Sequence, residues 1–177
     1  MIHVRRIAAV AAFCAASLAL ASCGDAPASP SPLPVAQAQN VSHDADGTLT
    51  GLVACTPLPA DSVAQIIGPA GGTITVGPHS FMVPPGALDS AVTITAFAPS
   101  AANNVVVFQP TGLTFSTPAT LTLSYANCGP LARILPTRVA YVDNLLNILS
   151  YLPSIGSGLS QTVTGQVQHF SDYAVAW

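Results

Sequence analysis

From about residue 49 onward, short apolar runs with a two-residue period alternate with Gly, Pro and Asn. In one such run, Ile74 and Val76 fall on one face while Thr73 and Thr75 fall on the other. This alternation is typical of half-buried strands, and the sixteen prolines of the chain disfavour long helices. We therefore predict strands at 52–55, 63–67, 72–76, 79–83, 92–97, 105–109, 120–125, 139–142, 148–152, 162–168 and 171–177.

About ten short strands within residues 49–177 predict an all-β fold, an antiparallel β-sandwich. Threonine occupies the predicted solvent side of several strands, where its branched Cβ suits a pleated surface while its hydroxyl stays hydrated. A domain of this length can bury most of the surface that its unfolded chain exposes.

The amino terminus has the pattern of an export signal. Arg5 and Arg6 precede an apolar, Ala-rich run over residues 7–20, which is short for a bilayer span. The tetrapeptide Leu-Ala-Ser-Cys that ends at Cys23 fits the lipobox of bacterial lipoproteins. Residues 1–22 are therefore predicted to be a signal peptide and Cys23 the lipidated residue. The alternatives are an ordinary signal peptide with a Cys after its cleavage site, or a single-pass anchor.

Residues 23–48 are predicted to be the lipidated cysteine and a flexible tether rich in Pro, Ala and Ser. As a flexible chain, the tether would span roughly 25–30 Å. The predicted location is the cell envelope, membrane-anchored through Cys23, on the periplasmic side or exposed at the surface.

Charge bears on the class of partner. After removal of residues 1–22, Arg133 and Arg138 would be the only basic residues beside seven aspartates, a net charge of 2 − 7 = −5. Nucleic acid is an unfavourable partner for such a chain, because phosphate binding needs clustered Lys and Arg. An unidentified protein or other envelope component is the expected partner.

Two further cysteines, Cys55 and Cys128, are predicted to form a disulfide, as is usual outside the cytosol. The alternative is a pair of unrelated buried thiols. Closing a loop of 128 − 55 = 73 residues would contribute roughly 4 kcal/mol. No metal or other cofactor is predicted, because no CxxC motif occurs and neither His79 nor His169 has a partner at ligand spacing.

Five ordered blocks carry a resemblance to a known family: Gly71 to Ile74, Val83-Pro84-Pro85-Gly86-Ala87-Leu88, Pro110 to Phe115, Pro118 to Leu123, and His169 to Val175. Together they resemble the ZU-five-type domain, a β-sandwich of zonula occludens protein, netrin receptors, ankyrins and many bacterial secreted proteins. The resemblance covers roughly residues 68–177. It implies a non-enzymatic interaction or scaffolding module, although the eukaryotic partners do not transfer to a bacterial lipoprotein.

The prolines also have a direct physical reading. Pro84 and Pro85 fix φ and remove backbone donors, and Gly86 permits a turn, so this block should end a strand. Pro110 and Pro118 are predicted to bracket a short segment at a sheet edge.

His169-Phe170-Ser171 is the motif that could carry a reaction. Some relatives cut themselves between the Phe and Ser of such a motif, and the resemblance would make Ser171 the nucleophile and His169 its base. In a flat strand these residues lie about 6.5–7 Å apart, whereas base contact needs about 2.6–3.2 Å. A bulge that turns Phe170 inward is expected from the side-chain parity of the segment.

The alternative is that His169 and Ser171 only satisfy hydrogen bonds at a strand bend, and no enzyme activity is predicted. A hydrolase acting on polysaccharide or peptide would need paired carboxylates. The domain offers only Asp61, Asp89, Asp143 and Asp172, which are far apart in the sequence.

Overall fold

A computed structural model describes residues 42–43, 49–50 and 51–177. The predicted signal peptide and Cys23 lie outside the described residues. The described part forms thirteen strands and a short 3₁₀ helix, Pro130–Arg133. The strands are β1 Ser42–His43, β2 Leu49–Thr50, β3 Asp61–Ile67, β4 Gly72–Val76, β5 His79–Val83, β6 Val92–Ala98, β7 Val105–Gln109, β8 Thr114–Ser124, β9 Arg138–Val142, β10 Ile148–Tyr151, β11 Ser154–Ser157, β12 Thr162–His169 and β13 Asp172–Ala176.

Eleven of these strands form two antiparallel sheets, and β1 and β2 pair separately. The six-stranded sheet has the order β10-β9-β13-β7-β6-β3, and the five-stranded sheet has the order β11-β12-β8-β5-β4. Side chains of the two sheets share one buried core. The rings of Phe81 on β5 and Phe108 on β7, for example, lie 4.7 Å apart between centroids. The predicted all-β sandwich is confirmed.

The alternating pattern places side chains as predicted. Ile74 and Val76 on β4 are buried, as are Leu121 and Leu123 on β8, while the threonines between them face outward. No helix in the described residues is long and apolar enough to cross a membrane.

Two details of the predicted strands are wrong. Pro118 does not border an edge segment, because β8 continues through it and lies inside its sheet, between β12 and β5. Pro118 is tolerated there because the β8–β12 register shifts between Ala119 and Thr114, and β5 pairs only with residues 120–122. Residues 52–55 form isolated bridges instead of a regular strand.

The two ends of the sandwich differ. At the end that we call the entry end, the chain enters the domain at Gly51, whose carbonyl accepts a 3.1 Å hydrogen bond from the Trp177 amide. Arg138, which pairs with Ala176, lies at this end too. At the far end, Asp172 pairs with Val142, immediately before the Asp143 turn.

The predicted disulfide is confirmed, since Cys55 is bonded to Cys128. The bond joins the segment that enters the domain to the segment that follows β8. Neighbouring hydrogen bonds hold the same segments together, with the Thr56 amide donating to the Asn127 carbonyl at 2.9 Å.

Candidate functional site

The His169-Phe170-Ser171 motif lies where the chain leaves one sheet and enters the other. β12, which ends at His169, belongs to the five-stranded sheet, and β13, which begins at Asp172, belongs to the six-stranded sheet. The β12–β8 register shifts between Val167 and His169. The expected irregularity is therefore present, at the crossing between the sheets.

Phe170 points into the core at this crossing and is 1% exposed. Its ring stacks on Phe108 at 5.0 Å and meets Phe81 at 5.4 Å and Phe115 at 5.1 Å. The inward turn expected from the sequence is confirmed. Burial of this ring fixes the conformation of the bend, because moving it would open a cavity among three other aromatic rings.

Backbone hydrogen bonds hold the bend on both sides of the Phe170–Ser171 peptide. The Phe170 amide donates to the Leu113 carbonyl at 2.7 Å, and the Gly112 amide donates to the Phe170 carbonyl at 3.1 Å. The Ser171 carbonyl accepts from the Phe108 amide at 3.3 Å. The Gly112 amide thus already donates a hydrogen bond to the carbonyl group that Ser171 would attack.

The side chains of His169 and Ser171 are not hydrogen-bonded to each other in the described structure. The His169 ring instead packs edge-on against Tyr141 at 5.3 Å and near Tyr173 at 6.4 Å. The Tyr173 hydroxyl donates to the His169 carbonyl at 2.6 Å. The arrangement therefore holds the bend in place without assembling a nucleophile–base pair.

The fold brings together two aspartates that are distant in the sequence. Partial burial raises the pKa of Asp172, and the negative charge of Asp143 raises it further. Hydrogen bonds from Asn147, first through its side chain at 2.8 Å, lower the pKa of Asp143, and the Leu145 amide adds another at 2.9 Å. The Asp143 carboxylate is thus committed to its own turn, whereas Asp61 and Asp89 lie elsewhere in the fold.

His79 is a buried residue with a structural role. Its Nδ1 accepts a 3.1 Å hydrogen bond from the Ser124 amide, which links β5 to the end of β8. Burial lowers the pKa of His79 to about 4, so the imidazole is neutral at pH 7. No group of three or more His, Cys, Asp or Glu side chains in residues 51–177 is arranged to hold a metal ion.

A groove of about 250 Å³ opens near Thr137, Arg138 and Ser154. The Ser154 hydroxyl is held by two backbone groups, because it donates to the Leu152 carbonyl at 2.7 Å and accepts from the Val139 amide at 3.0 Å. The Arg138 guanidinium stacks 4.0 Å above the Tyr151 ring. These polar groups therefore stabilise the strands that carry them.

Three residues that hold the bend were not predicted: Gly112 and Leu113 in the loop before β8, and Tyr141 on β9. Gly112 and Leu113 belong to the Pro110 to Phe115 block, but they hold the bend through backbone groups, and Tyr141 acts through its ring face, so no motif indicated these contacts. Tyr173 could have been noticed, because it shares the side-chain parity of His169 in a segment already singled out.

No protein-family model and no curated protein sequence matches the chain.

Proposed function

We propose that the chain is a lipid-anchored protein of the bacterial cell envelope whose β-sandwich serves as a non-catalytic binding or structural module. The tetrapeptide that ends at Cys23, which begins at the last residue of a fourteen-residue apolar run, is the observation that carries this proposal. In this reading, residues 1–22 are removed, Cys23 takes the acyl chains, and residues 23–48 tether the domain. The ZU-five-type resemblance supports an interaction module.

The Cys55–Cys128 disulfide supports export, because such bonds persist mainly outside the cytosol. The polar groups near the bend and the groove support a non-catalytic domain. His169 packs against tyrosine rings, the Ser154 hydroxyl bonds to backbone, and Asp143 closes a turn. An acidic domain with two arginines favours a protein or other envelope partner over nucleic acid.

Metabolic labelling with palmitate in the native host tests the anchor. We expect the wild-type protein to be labelled and to fractionate with membranes, and the Cys23→Ala variant to lose both properties. Cys14→Ala is the matched control, because Cys14 lies in the apolar run that processing would remove. Labelling that survives in the Cys23→Ala variant, or that is absent from the wild type, would contradict the proposal.

The partner can be sought by capturing the tagged lipoprotein from envelope fractions and comparing it with the Cys23→Ala form. An envelope protein recovered only with the anchored form would support a binding module at the membrane.

Self-cleavage at Phe170–Ser171 is the second candidate, and the Gly112 hydrogen bond to the Phe170 carbonyl favours it. Ser171 Oγ would attack the Phe170 carbonyl carbon as His169 takes the hydroxyl proton. The C–N bond would then break, and the proton would pass to the freed Ser171 amine, which leaves an ester. Water would hydrolyse the ester to a Phe170 carboxylate and the Ser171 hydroxyl.

Mass spectrometry of the purified protein under denaturing conditions separates the two candidates. Self-cleavage predicts a seven-residue fragment, 171–177, that the Ser171→Ala variant lacks and the exposed control Ser160→Ala retains. A single intact mass in all three proteins would exclude self-cleavage and leave the non-catalytic module standing.

A further inference from the structure

An apolar corner surrounds Arg133 at the entry end of the sandwich. Leu131, Ile134 and Leu159 are 54%, 76% and 101% exposed, and we call these three residues with Arg133 the Arg133 corner. Ala132, between them, is buried and fixes the 3₁₀ helix to the domain. Three exposed aliphatic side chains around one exposed guanidinium are unusual on a domain with so few charges.

Two neighbouring segments build this corner. The 3₁₀ helix lies between Cys128, which is bonded to Cys55, and Arg138, which pairs with Ala176. The turn that carries Leu159 packs against this helix so closely that a Cβ on Gly158 would collide with the Arg133 carbonyl oxygen. The corner is therefore a fixed surface, held by a disulfide and by a sheet edge.

We propose that the Arg133 corner seats the domain on the anionic surface of the bilayer that holds its lipid anchor. This inference rests on the proposed lipidation of Cys23. The tether would join the domain at Gly51, beside Trp177, and thus at the same end as the corner. The 51 − 23 = 28 residue steps from Cys23 to Gly51 span about 30 Å as a flexible chain, so the tether permits direct contact.

The charge distribution orients this contact. Arg133 and Arg138 both lie at the entry end, whereas Asp143 and Asp172 lie at the far end, about 17 Å along β9 from Arg138. Asp61 lies on β3, four strand spacings or about 19 Å across the sheet from β9. Within residues 51–177, an anionic surface therefore favours the Arg133 corner over the far end. Three further aspartates, Asp25, Asp44 and Asp46, belong to the predicted tether and not to the domain.

Exposed apolar side chains occur at both ends of the sandwich, so apolar exposure alone does not determine which end contacts the bilayer. Leu145 at the far end is 77% exposed, but its amide donates to the Asp143 carboxylate, so a negative charge lies beside it. At the Arg133 corner the aliphatic side chains lie beside a positive charge, the combination typical of surfaces that bind the membrane interface. The anchor raises the local concentration of bilayer around the domain, which favours this occupant over a soluble partner.

Tryptophan reporters in vesicles test the inference. The lipidated protein is reconstituted into vesicles of phosphatidylethanolamine and phosphatidylglycerol whose acyl chains carry bromine, a quencher of indole fluorescence. Leu159→Trp reports on the Arg133 corner, and Leu145→Trp is the matched control at the far end. Trp177, the single native tryptophan, is 4% exposed, and the emission of the unsubstituted protein in the same vesicles is subtracted as its background.

We expect Leu159→Trp to lose about half of its added emission, because interfacial side chains reach roughly 5–10 Å into the headgroup boundary. Leu145→Trp should lose little. Adding Ile134→Asp to the Leu159→Trp protein should weaken seating on the order of tenfold, as expected for one exposed aliphatic side chain replaced by a charge. Vesicles of phosphatidylcholine alone should quench Leu159→Trp less.

Flotation of the same vesicles separates failure of the inference from failure of the anchor. If the protein floats but neither reporter is quenched, or both are quenched alike, the anchor stands and the seating is wrong. If the protein does not float, the lipid anchor is wrong and the seating falls with it. A blue shift of Leu159→Trp emission that grows with protein concentration in the absence of vesicles would assign the corner to a second copy and overturn the proposal.

Discussion

Protonation of His79 would place a positive charge in a buried site, where Nδ1 already accepts a hydrogen bond from the Ser124 amide. The pKa of His79 is lowered from 6.5 to about 4 by burial, so between these values the unfolded chain binds a proton that the folded chain rejects. Stability is then complete above pH 6.5 and falls as the pH drops towards 4, by up to about 3 kcal/mol.

We expect His79→Asn to flatten this pH dependence, because the amide oxygen can accept the Ser124 hydrogen bond without titrating. Urea unfolding at a series of pH values from 7 to 4 measures the effect. At acidic pH, Asp172 changes the stability in the opposite direction to His79. Its raised pKa makes the folded state take up a proton more readily than the unfolded chain, so its contribution to stability increases as the pH falls. A slope unchanged by His79→Asn would contradict the assignment.

Gly71 is the glycine that the fold constrains most closely. Its φ is +73°, and an added Cβ would collide with the Val83 carbonyl oxygen and the Pro84 backbone. Gly86 has a similar φ of +79° but open space around it. Gly86→Ala should therefore cost about 1 kcal/mol for backbone conformation alone. Gly71→Ala should exceed that by roughly 1–3 kcal/mol in urea unfolding, because the turn must move. Equal losses of stability in the two variants would show that the turn around Gly71 accommodates the added methyl group.

At the scale of the strand, sequence pattern predicted most of the sheet elements because alternation reports directly which face is buried. The pattern failed to predict the elements whose structure depends on pairing with a neighbouring strand. β11, Ser154–Ser157, has no apolar alternation and forms only because β12 offers it an edge. Pro118 predicts an edge, yet it lies at a register shift inside a sheet, and no local pattern reveals the strand on either side.

The candidate site divides in the same way. The inward turn of Phe170 follows from side-chain parity, a local property that the sequence contains. The Gly112 amide that faces the Phe170 carbonyl belongs to a loop before β8, so only the arrangement of the strands brings the two together.

The disulfide acts on a segment that no regular strand pairing holds, although backbone hydrogen bonds from Val53, Cys55 and Thr56 also attach it to the domain. Residues 52–55 form isolated bridges, of which Leu52 to Ala176 lies beside the end of β13, and the bond to Cys128 fixes them to the segment that follows β8. We expect the Cys55→Ala/Cys128→Ala double variant to lose roughly 4 kcal/mol of stability, the value for a closed loop of this length. Reductant should destabilise the wild type by a similar amount in urea unfolding and leave the double variant unchanged. A reductant effect on the double variant would contradict this assignment.

At the scale of the whole molecule, the aromatic cluster between the two sheets determines whether the two sheets unfold together. Phe108 of the six-stranded sheet packs against Phe81 and Phe170, and all three are buried. Phe108→Ala should therefore cost about 3–5 kcal/mol. Phe97 on the neighbouring strand is 41% exposed and is the matched control, and its replacement by Ala should cost less than about 1 kcal/mol.

Because the cluster belongs to both sheets, the Phe108→Ala loss should appear in one cooperative transition, with near- and far-ultraviolet circular dichroism changing together. The total free energy of unfolding of a domain of this size is only about 5–15 kcal/mol, so the alanine variant can be mostly unfolded. In that case the milder variant Phe108→Leu still allows the unfolding transition to be measured. Two separate transitions in Phe108→Leu would mean that each sheet holds its own core. The shared position of Phe170, at the crossing from β12 to β13, argues against that outcome, because neither sheet can melt without moving the residue that links them.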